Sequence, residues 1–185
     1  MDPIKLKQPL FMCGMMGSGK STVGKQLADR LGAPFKDLDS MIEDEAGMII
    51  PEIFSHHGEQ WFRDLERKIL IRESQTFSGV MALGGGSLHN QWIVDHLKIY
   101  GWLIFLRVPL SVILTRVSQN INRPMLKRNS DEDASKREKL SVLLDERLPL
   151  YKQAQITIDA GDQDPGSVSE EIIKKLKLYD GFNRR

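Results

Sequence analysis

The run "GMMGSGKST", residues 14 to 22, limits the possible folds more than any other stretch of the chain. It meets the pattern G-x-x-x-x-G-K-[ST] with Gly14, Gly19, Lys20 and Ser21, carries Gly17 inside the loop, and stands between an apolar run, "LFMC", and a segment of helical spacing. In that setting glycines let the backbone curl until successive N–H groups point inward, where they and the positive end of the helix hold phosphate oxygens. Lys20 supplies a mobile charge for the outer phosphates, and Ser21 offers a hydroxyl to the magnesium ion that travels with them. The loop therefore reads as a nucleoside triphosphate site, with Gly17, Ser18, Gly19, Lys20, Ser21 and Thr22 as the ATP-binding candidates. A plain glycine turn is the alternative.

Further apolar runs at residues 33–39, 79–83, 102–108 and 154–160 join "LFMC" as candidate strands. Near-continuous hydrophobicity suits strands covered on both faces. The segments between them have helical character. "STVGKQLADRLG" sets Val23, Leu27 and Leu31 four apart and ends on Gly32, a C-terminal cap; "EQWFRDLERKILIRESQTF" sets Trp61, Leu65 and Ile69 likewise. This alternation predicts an α/β domain with a parallel sheet between two layers of helices. The length, 185 residues, suits a single domain with one core. Residues 119–139 stand apart as polar, charged and poor in apolar side chains, and read as a mobile excursion.

Charged residues make up 28% of the chain but nearly cancel, to +1, so no field of one sign points at nucleic acid or an acidic membrane surface. The basic residues between Arg123 and Arg147 are interleaved with acids, which argues against nucleic-acid binding. The apolar stretch at 9–16 is short and broken by Gly14, unlike a secretory leader, and no run approaches the roughly 20 residues of a bilayer span. Cys13, the single cysteine, cannot form an internal disulfide, which fits the cytoplasm or a plastid stroma. His56 and His57 are adjacent, with no further ligand at zinc-site spacing.

Which triphosphate chemistry is meant depends on shorter motifs. "DLD" brings Asp37 and Asp39; two apart in an extended segment, both carboxylates face one side at a strand's C-terminal end, where open parallel sheets bind ligands. One can hold a magnesium-bound water while the other accepts a proton; the competing reading makes Asp39 the cap of a helix starting at Ser40 or Met41. "FRDLE" sets Arg63 and Glu66 at i, i+3, where the acid can orient a guanidinium suited to a substrate carboxylate; a surface ion pair is the ordinary alternative. "ALGGGS" sets Gly84, Gly85 and Gly86 after the third strand, an arrangement that suggests close approach to the backbone. "NRPML" adds Arg123 and "DERLPLY" adds Arg147.

In this order and spacing "GSGKST", "DLD", "FRDLE", "GGGS", "RPML" and "ERLPLY" resemble the shikimate kinase family, over about residues 10–173. The resemblance implies the P-loop NTPase fold of the nucleoside monophosphate kinase type: a five-stranded parallel sheet, a substrate-binding segment near residues 40–70, and a lid near 119–139. It implies transfer of the γ-phosphoryl of ATP to the 3-hydroxyl of shikimate, on the route to chorismate and the aromatic amino acids. By position, Lys20 would hold the β- and γ-phosphates, Ser21 the Mg2+ ion, and Asp37 the ion through water. Asp39 would bind the shikimate hydroxyl and assist its deprotonation. Arg63 and Arg147 would clamp the carboxylate, with Glu66 supporting Arg63; Gly85 and Gly86 would donate N–H groups from a substrate-binding turn that includes Gly84. Arg123 would stabilise charge on the transferring phosphoryl, and Arg116 would lie against adenine. ATP and shikimate are the expected partners of a monomer with no nucleic acid and no membrane. A gluconate kinase-like enzyme and a catalytically silent nucleotide-binding relative are the rival readings.

Overall fold

The computed structural model describes residues 6–120 and 130–178. Among them the order is β1 (Leu10–Cys13), α1 (Lys20–Leu31), β2 (Phe35–Asp37), α2 (Leu38–Ala46), α3 (Ile50–Thr76) and β3 (Val80–Ala82). It continues with α4 (Gln91–Tyr100), β4 (Trp102–Arg107), α5 (Leu110–Asn120), α6 (Ser130–Tyr151), β5 (Ile156–Asp159) and α7 (Pro165–Leu178). The strands form one sheet in the order β2-β3-β1-β4-β5, and every neighbouring pair is parallel. All four residues of β1 are buried, as are the middle four of β4, because helices cover both faces. The chain leaves β1 for one side of the sheet and later crosses to the other, so the crevice at the C-terminal end of β1 is the switch point of the topology.

Local chemistry explains where the elements begin and end. Gly19 takes φ 91 and ψ 14 at the start of α1, and Gly32 closes it in the left-handed region while Ala33 N–H donates to the Ala28 carbonyl. Asn90 caps α4 by accepting from Ile93 N–H. Within α3, Gly58 breaks the helix with φ 80, so a short piece before it and a long piece after it meet at an angle.

The structure corrects one expectation about periodicity. Trp61 is 38% exposed and stacks on His57, whereas the face of α3 turned inward carries Phe62, Glu66, Ile69, Leu70 and Glu73. Two buried glutamates on that face disguise the apolar stripe. Of the polar excursion, residues 130–139 are the first turns of α6, while 121–129 fall outside the described residues.

At Gly101 space rather than backbone conformation dictates the residue. Its φ of −162 is extended, open to any side chain, but a Cβ there would overlap the Pro9 carbonyl, which accepts from Trp102 N–H at 3.0 Å and opens the β1–β4 ladder. Gly101→Ala is expected to lower stability by about 1–3 kcal/mol. A urea titration should show the midpoint falling with an unchanged slope.

Candidate active site

Three elements converge at the switch point. The loop after β1 presents its backbone from Gly14 to Gly19, with the N-terminus of α1 behind it. Lys20 is only 9% exposed and donates to the carbonyls of Gly14 and Met15 at 3.0 Å each. Burial holds its ammonium pKa below the ordinary value, against the opposing charge of Asp39. Ser18 Oγ is buried beside this loop with no hydrogen-bond partner among the described residues.

The two aspartates reach the site by a route that differs from the expected extended segment. The strand stops at Asp37, and Asp39 lies in the first turn of α2. Asp37 is the helix cap: its Oδ1 accepts from Asp39 N–H at 3.1 Å, while its Oδ2 accepts from the Ser21 hydroxyl at 2.6 Å. The capping role is therefore real but belongs to Asp37, which frees the Asp39 carboxyl for the crevice. Burial pushes the Asp39 carboxyl up to about 6; the charge of Asp37 adds to this and that of Lys20 opposes it. A carboxyl held near neutrality is matched to accepting a proton from a hydroxyl.

On the other side, Glu66 is 1% exposed and accepts from Arg63 Nη1 at 2.7 Å and from the Ser87 hydroxyl at 2.6 Å. This is no surface ion pair: a buried carboxylate fixes the base of a guanidinium whose Nη1 also donates to the Gly86 carbonyl at 3.3 Å. Arg147 approaches from α6, and its Nη1 is buried without a hydrogen-bond partner among the described residues. The glycine turn explains how both arginines fit. A Cβ on Gly86 would sit 2.9 Å from Arg63 Nη2 and 3.4 Å from Arg147 Nη2; one on Gly84 would sit 2.7 Å from Asp39 Oδ1. Two cations and a carboxyl thus crowd onto a turn that can have no side chains.

Two clefts flank this centre. One, of about 660 Å³, is bounded by Arg63, Gly86, His89 and Arg147. The other, of about 340 Å³, lies between Gly17–Gly19, Arg116, Gln163 and Pro165. Arg116 donates to the Gly161 carbonyl at 2.6 Å and to Gly17 at 3.4 Å, which sets it beside the phosphate loop. The structure thus brings Lys20, Ser21, Asp37, Asp39, Arg63, Glu66, Gly84–Gly86 and Arg147 together, with Arg116 alongside. Arg123 lies outside the described residues. Sequence reasoning passed over Ser87, His89, Gln163 and Tyr151; of these Tyr151 had a signal, since it follows Arg147 by one helical turn.

Comparison with known proteins places this site in context. The family model described as shikimate kinase matches residues 16–177. The chain is 40% identical over 172 residues to a shikimate kinase of Rhodopseudomonas palustris, covering 93% of this chain and 82% of the relative. It is 40% identical over 171 residues to one of Caldanaerobacter subterraneus, covering 91% and 97%. Among solved structures it is similar to a shikimate kinase from Acinetobacter baumannii in complex with shikimate, with a TM-score of 0.83, 32% identity and 94% of each chain covered.

The raised pKa of Asp39 carries a stability consequence. A carboxyl with a folded pKa of about 6 against 3.8 ordinarily favours the fold fully below the lower value and loses that contribution as pH rises through the upper one. At pH 8 the ionised, partly buried group is a net cost. Asp39→Asn is therefore expected to raise stability at pH 8 by on the order of 1–3 kcal/mol, an advantage that shrinks toward zero near pH 4. Thermal melts of both proteins across that range check the sign, and a variant less stable at pH 8 contradicts it.

Proposed function

The chain belongs to the shikimate kinase family, and from that premise we propose how its own residues transfer the γ-phosphoryl of ATP to the 3-hydroxyl of shikimate, giving shikimate 3-phosphate and ADP. The observation that carries the reading is the meeting of Arg63 and Arg147 over Gly86, in the same crevice as Asp39 and Lys20. Paired guanidiniums match a carboxylate in two-point contact, and shikimate presents one. With that carboxylate held at the arginines, a ring hydroxyl is directed toward Asp39, which accepts its proton as the oxygen attacks phosphorus. The proton then resides on the Asp39 carboxyl, whose pKa suits the exchange.

Phosphoryl transfer requires positioning and charge stabilisation more than covalent help. The loop N–H groups and Lys20 hold the phosphates, and Arg123 is assigned to the charge on the phosphoryl in flight by its place in "RPML". Arg116, beside the cleft that adjoins the phosphate loop, is assigned to adenine. Ser21 and Asp37 form a hard oxygen pair beside the loop, a donor set that fits Mg2+, which takes few protein ligands and keeps water and phosphate oxygens. When bound, that ion neutralises phosphate charge. Among the described residues no set of three or more His, Cys, Asp or Glu side chains is arranged to hold a metal unaided.

Among the described residues no helix is long and apolar enough to cross a membrane. Cys13 is buried in β1 with its thiol pKa pushed up by that burial, which makes it a small core residue. A cytoplasmic enzyme is proposed on the single cysteine, which has no partner for an internal disulfide.

ADP release from Mg-ATP should depend on shikimate and not on gluconate or a nucleoside monophosphate. It should fall as pH drops through about 6, where Asp39 takes up a proton. ATP binding without release under any acceptor sinks the proposal in favour of a silent relative. Arg63→Ala is expected to raise KM for shikimate roughly 100-fold while KM for ATP changes about twofold or less. Equal losses for both substrates argue against the carboxylate clamp.

A further inference from the structure

Tyr151 closes α6 in the most buried part of the site, at 1% exposure, although no part of the mechanism above uses it. Its ring stacks on Phe105 of β4 with centroids 5.2 Å apart, and its hydroxyl lies 2.5 Å from the Gly85 carbonyl and 3.9 Å from Met15 Sδ. Burial pushes its phenol pKa up to about 12, with the charge of Arg147 opposing, so the hydroxyl stays protonated and donates. A carbonyl accepts and cannot donate, so the direction of this bond is fixed.

The consequence follows from peptide geometry. The Gly85 carbonyl and the Gly86 N–H belong to one planar unit, and no peptide bond among the described residues is cis, so the two groups point in opposite directions. Anchoring the carbonyl therefore aims the N–H. The anchor matters here because glycines 84 to 86 restrain their own peptide planes less than any other residues. The next plane is held separately, by Arg63 Nη1 donating to the Gly86 carbonyl. Arg147 stands one turn before Tyr151 on the same helix, so the bond that orients the turn also seats that arginine over it.

We propose that Tyr151 is a positioning residue for the acceptor substrate: its hydroxyl, bonded to the Gly85 carbonyl, sets the direction of the Gly86 N–H and the seat of Arg147. This rests on the reading that Gly86 and Arg147 hold the shikimate carboxylate end. The phosphate loop has its own fastening, Lys20 on the carbonyls of Gly14 and Met15, and the Tyr151 hydroxyl reaches that loop only at Met15 Sδ, 3.9 Å away.

Tyr151→Phe keeps the ring on Phe105 and removes the hydroxyl alone, with its bond to the Gly85 carbonyl and its contacts to Arg147 and Met15 Sδ. Steady-state kinetics should show KM for shikimate rising about five- to tenfold, with kcat and KM for ATP within about twofold. Equilibrium titration should show Mg-ADP binding unchanged. A shikimate KM within twofold of wild type overturns the proposal, and so does a parallel loss of shikimate and Mg-ADP binding, which marks a purely structural residue. Arg63→Ala, measured beside it, separates the two levels. If Arg63→Ala weakens shikimate binding and Tyr151→Phe does not, only the positioning role fails; if neither does, the site reading fails with it.

Discussion

Three consecutive residues without side chains create the space on which everything else at the site depends. A Cβ at residue 84 would stand 2.7 Å from Asp39 Oδ1, one at residue 85 would stand 3.1 Å from the phosphate-loop backbone, and one at residue 86 would stand 2.9 Å from Arg63 and 3.4 Å from Arg147. Glycine is entropically costly at such a turn, and the cost is offset by how many charged groups it lets into one crevice. The turn is held from outside its own sequence, by Tyr151 on one carbonyl and Arg63 on the next. Its rigidity is a property of the tertiary structure.

The charges around this turn are stable only as a set. Lys20, Arg63 and Arg147 face Asp37, Asp39 and Glu66; Lys20 and Glu66 are buried and the rest partly so, and a buried charge left alone would be strongly disfavoured. Glu66 is the clearest case: almost fully buried, it is satisfied by one guanidinium and one hydroxyl. Asp37 joins two helices at this point, since one oxygen caps the start of α2 and the other accepts from a hydroxyl at the start of α1. Asp39 carries a raised pKa there, chiefly from burial and next from the charge of Asp37, which Lys20 only partly offsets. A further network outside the crevice steadies this arrangement: Glu73, buried on α3, accepts from Lys36 of β2 and Arg72, while Glu45 of α2 accepts from Arg72 and Lys68. It ties together the elements that carry Asp39 and Arg63.

Much of the fold was legible because its signals are local. The apolar runs marked all five strands, and Gly19 and Gly32 marked both ends of α1, since each reports a backbone requirement that no distant residue can change. The inward face of α3 was read correctly at Ile69 and misread at Trp61, because periodicity counts apolar residues, whereas burial there includes Glu66 and Glu73, made tolerable by partners from β2, the glycine turn and the helix itself. The extended reading of Asp37 and Asp39 failed for a related reason. Asp37 begins a helix at once, and whether three residues continue a strand or cap a helix depends on where β3 stops pairing with them. Tyr151 was overlooked because nothing near it in sequence names the carbonyl it meets, which lies 66 residues away.

By itself the sequence determined the phosphate loop, the alternation of strands and helices, and the kinds of side chain available for catalysis, because these follow from backbone preference and from chemistry carried by single residues. Only the tertiary structure decided which arginines meet, which glutamate supports them, which aspartate caps a helix and which is left to take a proton. Those outcomes depend on distances between elements far apart in the chain. Burial and pairing, which set the charge state of Asp39 and the direction of a peptide plane, have no local code.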